Sequence, residues 1–457
     1  LRNDAHVTNN VLNPGDRRIG FLYDGQPETP KLHALLERSR DGEVTLSVIC
    51  GREDQAHRWW TGGSTRYHDD LDRTRFRYSA PPHLVFEDHL GTVSLLGCEA
   101  TRFAGTAFGE GVGTIKARYV VLGRTDTERR GAVRDLRAEI SGLPEWVGYR
   151  PFTASVERDD SGLVQTTTVT APRVDPVPLG EQDGATRELS PHWSSKVGLI
   201  AVLTSRLYAQ SLTPTLRTWS AALDLPRGVR DLLALSQWRR EEITSVEARF
   251  LTVPADADPM VRHRWSQWYQ VISEGDADES RVGASNPSHL IEYADIGPEG
   301  LVAWLDLRTQ FARALDPIVS MLFMKGATVE TLMAQVGIGL EALGFLIATL
   351  DDGRSKSDAN TSFVTRLERV RQDVGDAIPL DLADWPSRAA AAYASTKHAN
   401  RGRRDMLEVA EAWQLSTLVA RVWVAVRLGV SVEQLRDRVA HDHQSGGMTS
   451  VPDPADL

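Results

Sequence analysis

The stretch from Leu418 to Leu428 is apolar on nearly every face of a helix, which leaves it one place in a folded chain, the centre of a helical bundle. It forms the second half of a long helix. That helix carries Glu408 and Glu411 near its start and Arg421 and Arg427 near its end, with Gly429 just beyond, the order that the helix dipole and a glycine C-cap favour. Ahead of it lies the turn Thr396-Lys397-His398-Ala399-Asn400-Arg401-Gly402-Arg403-Arg404, and ahead of the turn an alanine-rich helix from Arg388 to Ser395. One histidine thus stands among four cations, with no acidic residue beside it in sequence, in a chain of net charge -10.

The helical pattern begins at Leu301. Leu301 to Met324 is an amphipathic segment that Pro317 is expected to kink or break. Thr328 caps a second helix, Val329 to Leu350, which stops at Asp351-Asp352-Gly353. Ser362 caps a third, in which Phe363, Leu367, Val370 and Val374 recur at helical spacing. Pro386 opens the fourth, the apolar helix is the fifth, and Ser431 with Gln434 makes a capping box for a sixth. After His443 the Gly, Ser and Pro content reads as a frayed tail.

The N-terminal part reads as β-rich. Runs of β-formers between turn signals fall at Ile19 to Tyr23, Val44 to Cys50, Thr92 to Leu96, Thr114 to Leu122, Leu136 to Ile140, Leu163 to Thr170 and Val246 to Val253. Such strands without intervening helical periods favour a sandwich or barrel over a parallel sheet. Lys31 to Ser39 reads as one small helix at its edge, and Asp231 to Glu242 has helical spacing. Residues 172–190, rich in Pro, Gly, Asp and Glu, read as a loop or hinge at which the β-rich part can be subdivided. Pro254 to Asp258 and Ser273 to Ser288 read as polar turns. The fold class is α+β and multidomain: a β-rich sandwich or barrel-like domain over 1–290, an all-α bundle over 300–440 and a flexible tail over 444–457. A chain of 457 residues calls for two or three domains in any case.

Composition narrows the partners. A net negative chain is a poor footprint for non-specific nucleic-acid binding, so any RNA contact has to be local. Cys50 and Cys98 each lie in an apolar run and read as buried thiols, with neither a disulfide framework nor zinc spacing. No apolar run approaches the roughly 18 residues that span a bilayer, so the expectation is a cytoplasmic protein with no membrane contact. Phe108-Gly109-Glu110-Gly111-Val112-Gly113-Thr114 lacks the P-loop lysine and leads into a strand, so it reads as a hairpin turn. No cofactor signature is present in the sequence.

An alanine-rich helix ending near a His, then a turn and an apolar last helix, resembles the C-terminal HEPN domain of ApeA-like proteins, a bacterial anti-phage family. Two short patterns in the β-rich part are similar to what the ApeA-like N-terminal domain would carry. They are Trp59-Trp60 followed by Gly62-Gly63 and Tyr67-His68-Asp69-Asp70, and Ser141-Gly142-Leu143-Pro144-Glu145-Trp146. The resemblance implies a small helical bundle, usually dimeric, that cleaves RNA without a metal through an Arg-x(4–6)-His motif, with tRNA as substrate by analogy. Here the histidine is His398, and the places of the family's Arg-Asn pair hold Tyr393 and Ala394; the nearest upstream arginine is Arg388.

The chemistry asks little of the protein. A base takes the 2′-OH proton, an acid protonates the leaving 5′-oxygen, and cations stabilise the charge that builds on the phosphoryl oxygens. His398 is suited to either proton transfer because an ordinary imidazole titrates near neutrality. Tyr393 is its partner by position, and Lys397, Asn400, Arg401, Arg403 and Arg404 are the candidate RNA-binding set. The plainer reading is a solvated inter-helix turn. A second Arg-x4-His, Arg436 to His441, fits the letters better but follows the last apolar helix, where a polar helix end is the plainer reading. Trp59-Trp60 is either a recognition surface or packing in the β-rich core. The expected function is abortive-infection defence: the N-terminal domain senses a phage-derived trigger, and a homodimeric HEPN bundle cleaves RNA. The alternative is a catalytically degenerate module that dimerises or binds a partner.

Overall fold

Period-two alternation closes the first six strands into a barrel. In this computed structural model, which describes residues 10–24, 31–51, 54–61, 80–105, 110–123, 132–196, 202–250, 267–273, 289–442 and 444, they are β1 (Arg17–Tyr23), β2 (Leu32–Arg38), β3 (Val44–Cys50), β4 (His83–Asp88), β5 (Gly91–Gly105) and β6 (Gly111–Val121). They pair antiparallel in the order β1-β2-β3-β6-β5-β4, and β4 returns to β1. Leu22, Leu36, Leu46, Phe86, Leu95 and Ile115 fill the interior. The expected helix over Lys31 to Ser39 is strand β2, because Leu32, Ala34 and Leu36 alternate inward and the neighbouring strands supply the ladder that local propensity does not.

Strand β1 carries an inversion. It buries Arg18 and Gly20 and turns Ile19, 77% exposed, and Phe21 outward. The buried guanidinium is satisfied by a forked pair with Asp88 at 2.6 and 2.9 Å and by the Asn10 side-chain oxygen at 2.8 Å. At the barrel wall, α1 (Arg58–Thr61) lays Trp60 against β6, where its indole N–H donates to the Thr114 carbonyl at 3.1 Å. A Cβ on Gly113 would stand 2.3 Å from that ring, so the close approach requires glycine. Trp60 is therefore core packing, with Trp59 partly buried beside it. Gly62, Gly63 and Tyr67 to Asp70 lie outside the described residues, as do Phe108 and Gly109; the β5–β6 pairing from Gly105 with Gly111 makes that turn a hairpin.

Strand β6 is the branch point at which the barrel opens into the rest of one continuous sheet. Its first half pairs with β3, and where β3 leaves, β16 (Tyr269–Ser273) takes the same edge at Tyr119 to Val121. From β16 the sheet continues through β15 (Ile243–Arg249), β8 (Asp135–Ile140), β13 (Val202–Leu212), β12 (Ala185–Lys196) and β11 (Val177–Gln182). The stretch expected as a loop over 172–190 thus holds β11 and the start of β12; flanking strands override its Pro and Gly content, and Gly180 and Gly184 supply positive φ within the hairpin. Two further pairs stand apart from this sheet, β7 (Ala132–Val133) with β14 (Arg217–Thr218) and β9 (Thr153–Arg158) with β10 (Val164–Thr170). Three helices pack near the extension: α2 (Leu143–Val147), α3 (Trp219–Ala222) and α4 (Asp224–Gln237).

The C-terminal part is helical: α5 (Tyr293–Gln310), α6 (Ala312–Ser320), α7 (Val329–Leu346), α8 (Phe363–Val374), α9 (Trp385–Lys397), α10 (Met406–Arg427) and α11 (Val432–His441). Thr328, Ser362 and Ser431 cap their helices as the sequence indicates. Pro317 lies inside α6, and the chain breaks at Phe311 instead, which sets that ring in the core 5.1 Å from Trp423. Helix α7 with its last turn, Val329–Asp351, is long and apolar enough to cross a membrane by length and composition, contrary to the reading of the sequence. Glu330 and Glu341 interrupt the run letter by letter without lowering its average below that threshold. Half of it is buried within the molecule.

One hydrophobic cluster runs from Ile140, Leu143 and Leu189 through α4 into the helices up to α11. At its centre Arg421 of α10, expected as a complement to the helix dipole, is 1% exposed, as is the Asp442 it pairs with. Its Nε donates to the Leu235 carbonyl at 2.7 Å and Nη2 to the Ser236 carbonyl at 2.9 Å, acceptors in the last turn of α4. The Ser-Gly-Leu-Pro-Glu-Trp pattern lies in the same joint: the Trp146 indole N–H donates to Ile291 at 2.8 Å, and Ser141 bonds Glu241.

Candidate functional site

The turn between α9 and α10 is built from its ends. The α9 helix stops at Lys397 because His398 adopts extended backbone, φ −119° and ψ 111°, while its N–H still donates to Ala394 at 3.1 Å. The His398 carbonyl then accepts from the Arg401 N–H at 3.0 Å, which closes a tight turn. Asp405 caps α10 by accepting from the Leu407 N–H at 2.7 Å. Ala399, Asn400, Arg401 and Gly402 form the exposed tip between these anchors.

His398 is exposed, and its imidazole has no hydrogen-bond partner among the described residues. The side chains of Asn400 and Arg401 likewise make no hydrogen bond or ion pair with a described residue. The other cations are engaged. Arg403 pairs with Glu330 at the start of α7 at 3.0 Å, and Arg404 pairs with Glu408 one turn into α10 at 3.0 Å. Lys397 lies 3.9 Å from the Glu341 carboxylate and 5.1 Å from the Tyr393 ring centroid. A turn with no acid beside it in sequence is therefore bordered in space by three carboxylates. Two come from α7, which packs along α9.

Tyr393 does not share the turn's exposure. It is 6% exposed, with its ring against Gly337 and edge-on to Phe363 at 5.1 Å, and its hydroxyl 3.4 Å from Glu341. Burial pushes its phenol above the ordinary range and outweighs the opposing effect of Lys397, so the group is a neutral donor. Arg388 is at the far end of α9, paired with Glu411 at 2.8 Å. Glu330, Glu341 and Arg366, which holds Glu341 at 3.3 Å, were missed by the sequence reading. The available signal was two carboxylates in the otherwise apolar Val329–Leu346 segment.

Arg436 and His441 lie on α11, and His441 bonds the Asp437 carbonyl at 2.9 Å. They follow the C-terminal end of α10 while the His398 turn precedes its N-terminal end, so a helix of 22 residues, roughly 30 Å long, separates them. The second motif does not join the first. His443 lies outside the described residues. Among the described residues no group of three or more His, Cys, Asp or Glu is placed to hold a metal ion.

Residues 17–304 match the family described as ApeA N-terminal domain 1, a span of more than half the chain that covers the barrel, the extended sheet and the first turns of α5. No curated protein and no solved structure matches the chain.

Proposed function

Because the chain belongs to the ApeA N-terminal domain 1 family, whose context is defence against phage, we propose that its β-rich part senses infection and its C-terminal helices act on RNA as a HEPN-like bundle. The observation that carries this reading is the state of His398. Its imidazole is exposed at the start of a short, doubly anchored turn, with the side chain of Arg401, three residues on, equally uncommitted. A histidine kept for structure would be expected to hold a partner. At this place one His398 takes the 2′-OH proton or protonates the 5′-oxygen, and Arg401, with Lys397, Arg403 and Arg404, offsets the phosphoryl charge. Transfer RNA is the substrate class implied by the resemblance, and a cytoplasmic setting goes with it.

A single imidazole supplies one of the two proton transfers, so a second copy is part of the proposal. The open face of α7 supports it: Ile338 is 44% exposed, with Ala334, Ala342 and Phe345 half-buried on the same side. The face is also self-complementary in an antiparallel pairing centred on Ile338, which sets Ala334 against Ala342 and Gln335 against Glu341 of a second copy. Since Glu330 and Glu341 of the same helix touch the turn, pairing there would bring two turns to one interface.

A second reading is favoured by Tyr393. It stands where the motif arginine would, yet it is buried and engaged with Glu341, which suits a degenerate module that binds RNA or a partner without cleaving. The deciding experiment incubates the purified protein with total RNA in chelator and sequences new ends. Cleavage that falls roughly 100- to 10,000-fold in His398→Ala supports catalysis. Unchanged cleavage in His398→Ala overturns it. An inactive wild type that gains cleavage with Tyr393→Arg supports the degenerate module.

A further inference from the structure

The strand β12 is covered along only part of its outer edge. Its inner edge pairs with β13 over its whole length, to Lys196 with Val202. On the outer edge β11 pairs only as far as Leu189, through Val177. Pro176, which has no N–H to give, precedes the pairing. From Ser190 to Lys196 no described strand meets that edge. Pro191 within it is the residue type that edge strands tolerate. Natural sheets usually cover or blunt such edges.

A groove of about 320 Å³ runs beside the open edge, between Ser190, Pro191, His192 and Trp193 on one side and Tyr149, Arg173, Val174 and Pro176 on the other. Trp193 continues the inward face of β12 beyond the core, two residues on from Pro191 and four from buried Leu189, and is 45% exposed. The groove thus offers apolar walls, backbone groups in strand register apart from the N–H that Pro191 lacks, one permanent cation, Arg173, which stands 3.6 Å from exposed Asp175, and no carboxylate in its lining. An extended polypeptide matches all four features. A nucleic acid would use the cation and the aromatic rings but not the strand edge.

We propose that the outer edge of β12 from Ser190 to Lys196 takes up an extended polypeptide segment as an added strand, one whose alternate side chains are apolar and which carries a carboxylate toward Arg173. The proposal deepens the sensing role given above to the β-rich part and rests on that reading: the trigger is recognised as an unpaired strand of a foreign protein. Main-chain hydrogen bonds supply the affinity, and the Trp193 and Tyr149 walls select alternate side chains.

The test uses the full chain and a labelled peptide, acetyl-Thr-Val-Glu-Val-Thr-Val-Thr-amide, with binding read by fluorescence anisotropy in the absence of RNA. Two N-methylated versions block alternate sets of peptide amides. Strand addition requires that one set weakens binding roughly tenfold or more, and the other much less, because only alternate amides face the edge. Trp193→Ala should weaken binding at least about tenfold and Trp193→Phe far less. Equal effects of the two N-methylated sets, indifference to Trp193→Ala, or no binding up to about 1 mM would overturn the proposal. So would displacement by polyuridylate, which would make the groove a nucleic-acid site, or a peptide-induced fall from dimer to monomer in light scattering, which would assign the edge to a second copy. Binding is scored without RNA and cleavage without peptide, so failure here is distinct from failure of the ribonuclease reading.

Discussion

Truncating Arg421 to alanine should be among the most damaging single changes in the C-terminal half. All five guanidinium N–H groups are positioned to be used: Nε and Nη2 on the α4 carbonyls, Nη1 on Asp442 at 2.9 Å and Gln444 at 2.7 Å, and Nη2 on Asp442 at 2.8 Å. Without them a buried carboxylate loses its cation, and the Leu235 and Ser236 carbonyls each lose a donor, Ser236 keeping the Leu290 N–H. Breaking a buried pair from one side costs about 3–5 kcal/mol. In urea this corresponds to a midpoint fall on the order of 1 M for the transition that reports the joint, given slopes of about 1–3 kcal/mol/M or more. Trp238, 5.9 Å from the guanidinium, lies at the joint, so tryptophan fluorescence should be followed beside far-ultraviolet circular dichroism. The double change Arg421→Met with Asp442→Leu removes both charges and should recover most of the loss. A midpoint fall below about 0.2 M for Arg421→Ala, the size of a surface-pair effect, would refute the reasoning.

Other outcomes follow from the same geometry. Gly337→Ala should destabilise by about 1–3 kcal/mol, because the new Cβ would stand 2.3 Å from the Tyr393 ring; thermal melts check this. Burial raises the Asp88 carboxyl, but the Arg18 guanidinium and the Leu90 and Gly91 amides outweigh it and hold the group below the ordinary range. Its contribution is therefore present above the ordinary carboxylate value and lost as pH falls through the lower folded value, so Asp88→Asn should flatten the acid limb of barrel stability. Burial raises the Cys50 thiol to about 11, with a smaller effect of Asp54, and the Cys98 thiol to about 12. Buried Cys50 should react with a thiol reagent at pH 8 only on unfolding and partly buried Cys98 more slowly than a free thiol, and fast reaction of Cys50 in the native protein would contradict its placement.

The helices were legible because their signals are local. Ser362 and Ser431 declare helix starts by hydroxyl and spacing alone, and the run from Leu418 could only be central. Strands β3, β8 and β10 were legible for the same reason. Strand β2 was not, since Leu-Glu-Arg letters favour helix and only the β1 and β3 partners make them a strand. The inward Arg18 was equally hidden, because Asp88, which makes its burial tolerable, is 70 positions away. The candidate turn was found as a segment, but its charge was misjudged: Glu330, 73 positions from Arg403, is brought to it by helix packing that no local pattern announces.

The branching at β6 has a consequence for the order in which the nascent chain can mature. Every partner that closes the barrel has been made by the time Val121 leaves the ribosome, and most of the pairs are hairpins between neighbours. The β16 partner of Val121 is Val271, so at about 5–20 residues per second the upper edge of β6 waits roughly 8–30 s for its second partner strand. During that interval a finished barrel presents Tyr119, Val120 and Val121 as an open strand, the state in which pairing with another unfinished chain competes with completion. Slowing synthesis between the codons for Val121 and Val271 should lower the soluble yield of the whole protein more than slowing it anywhere in the helical part.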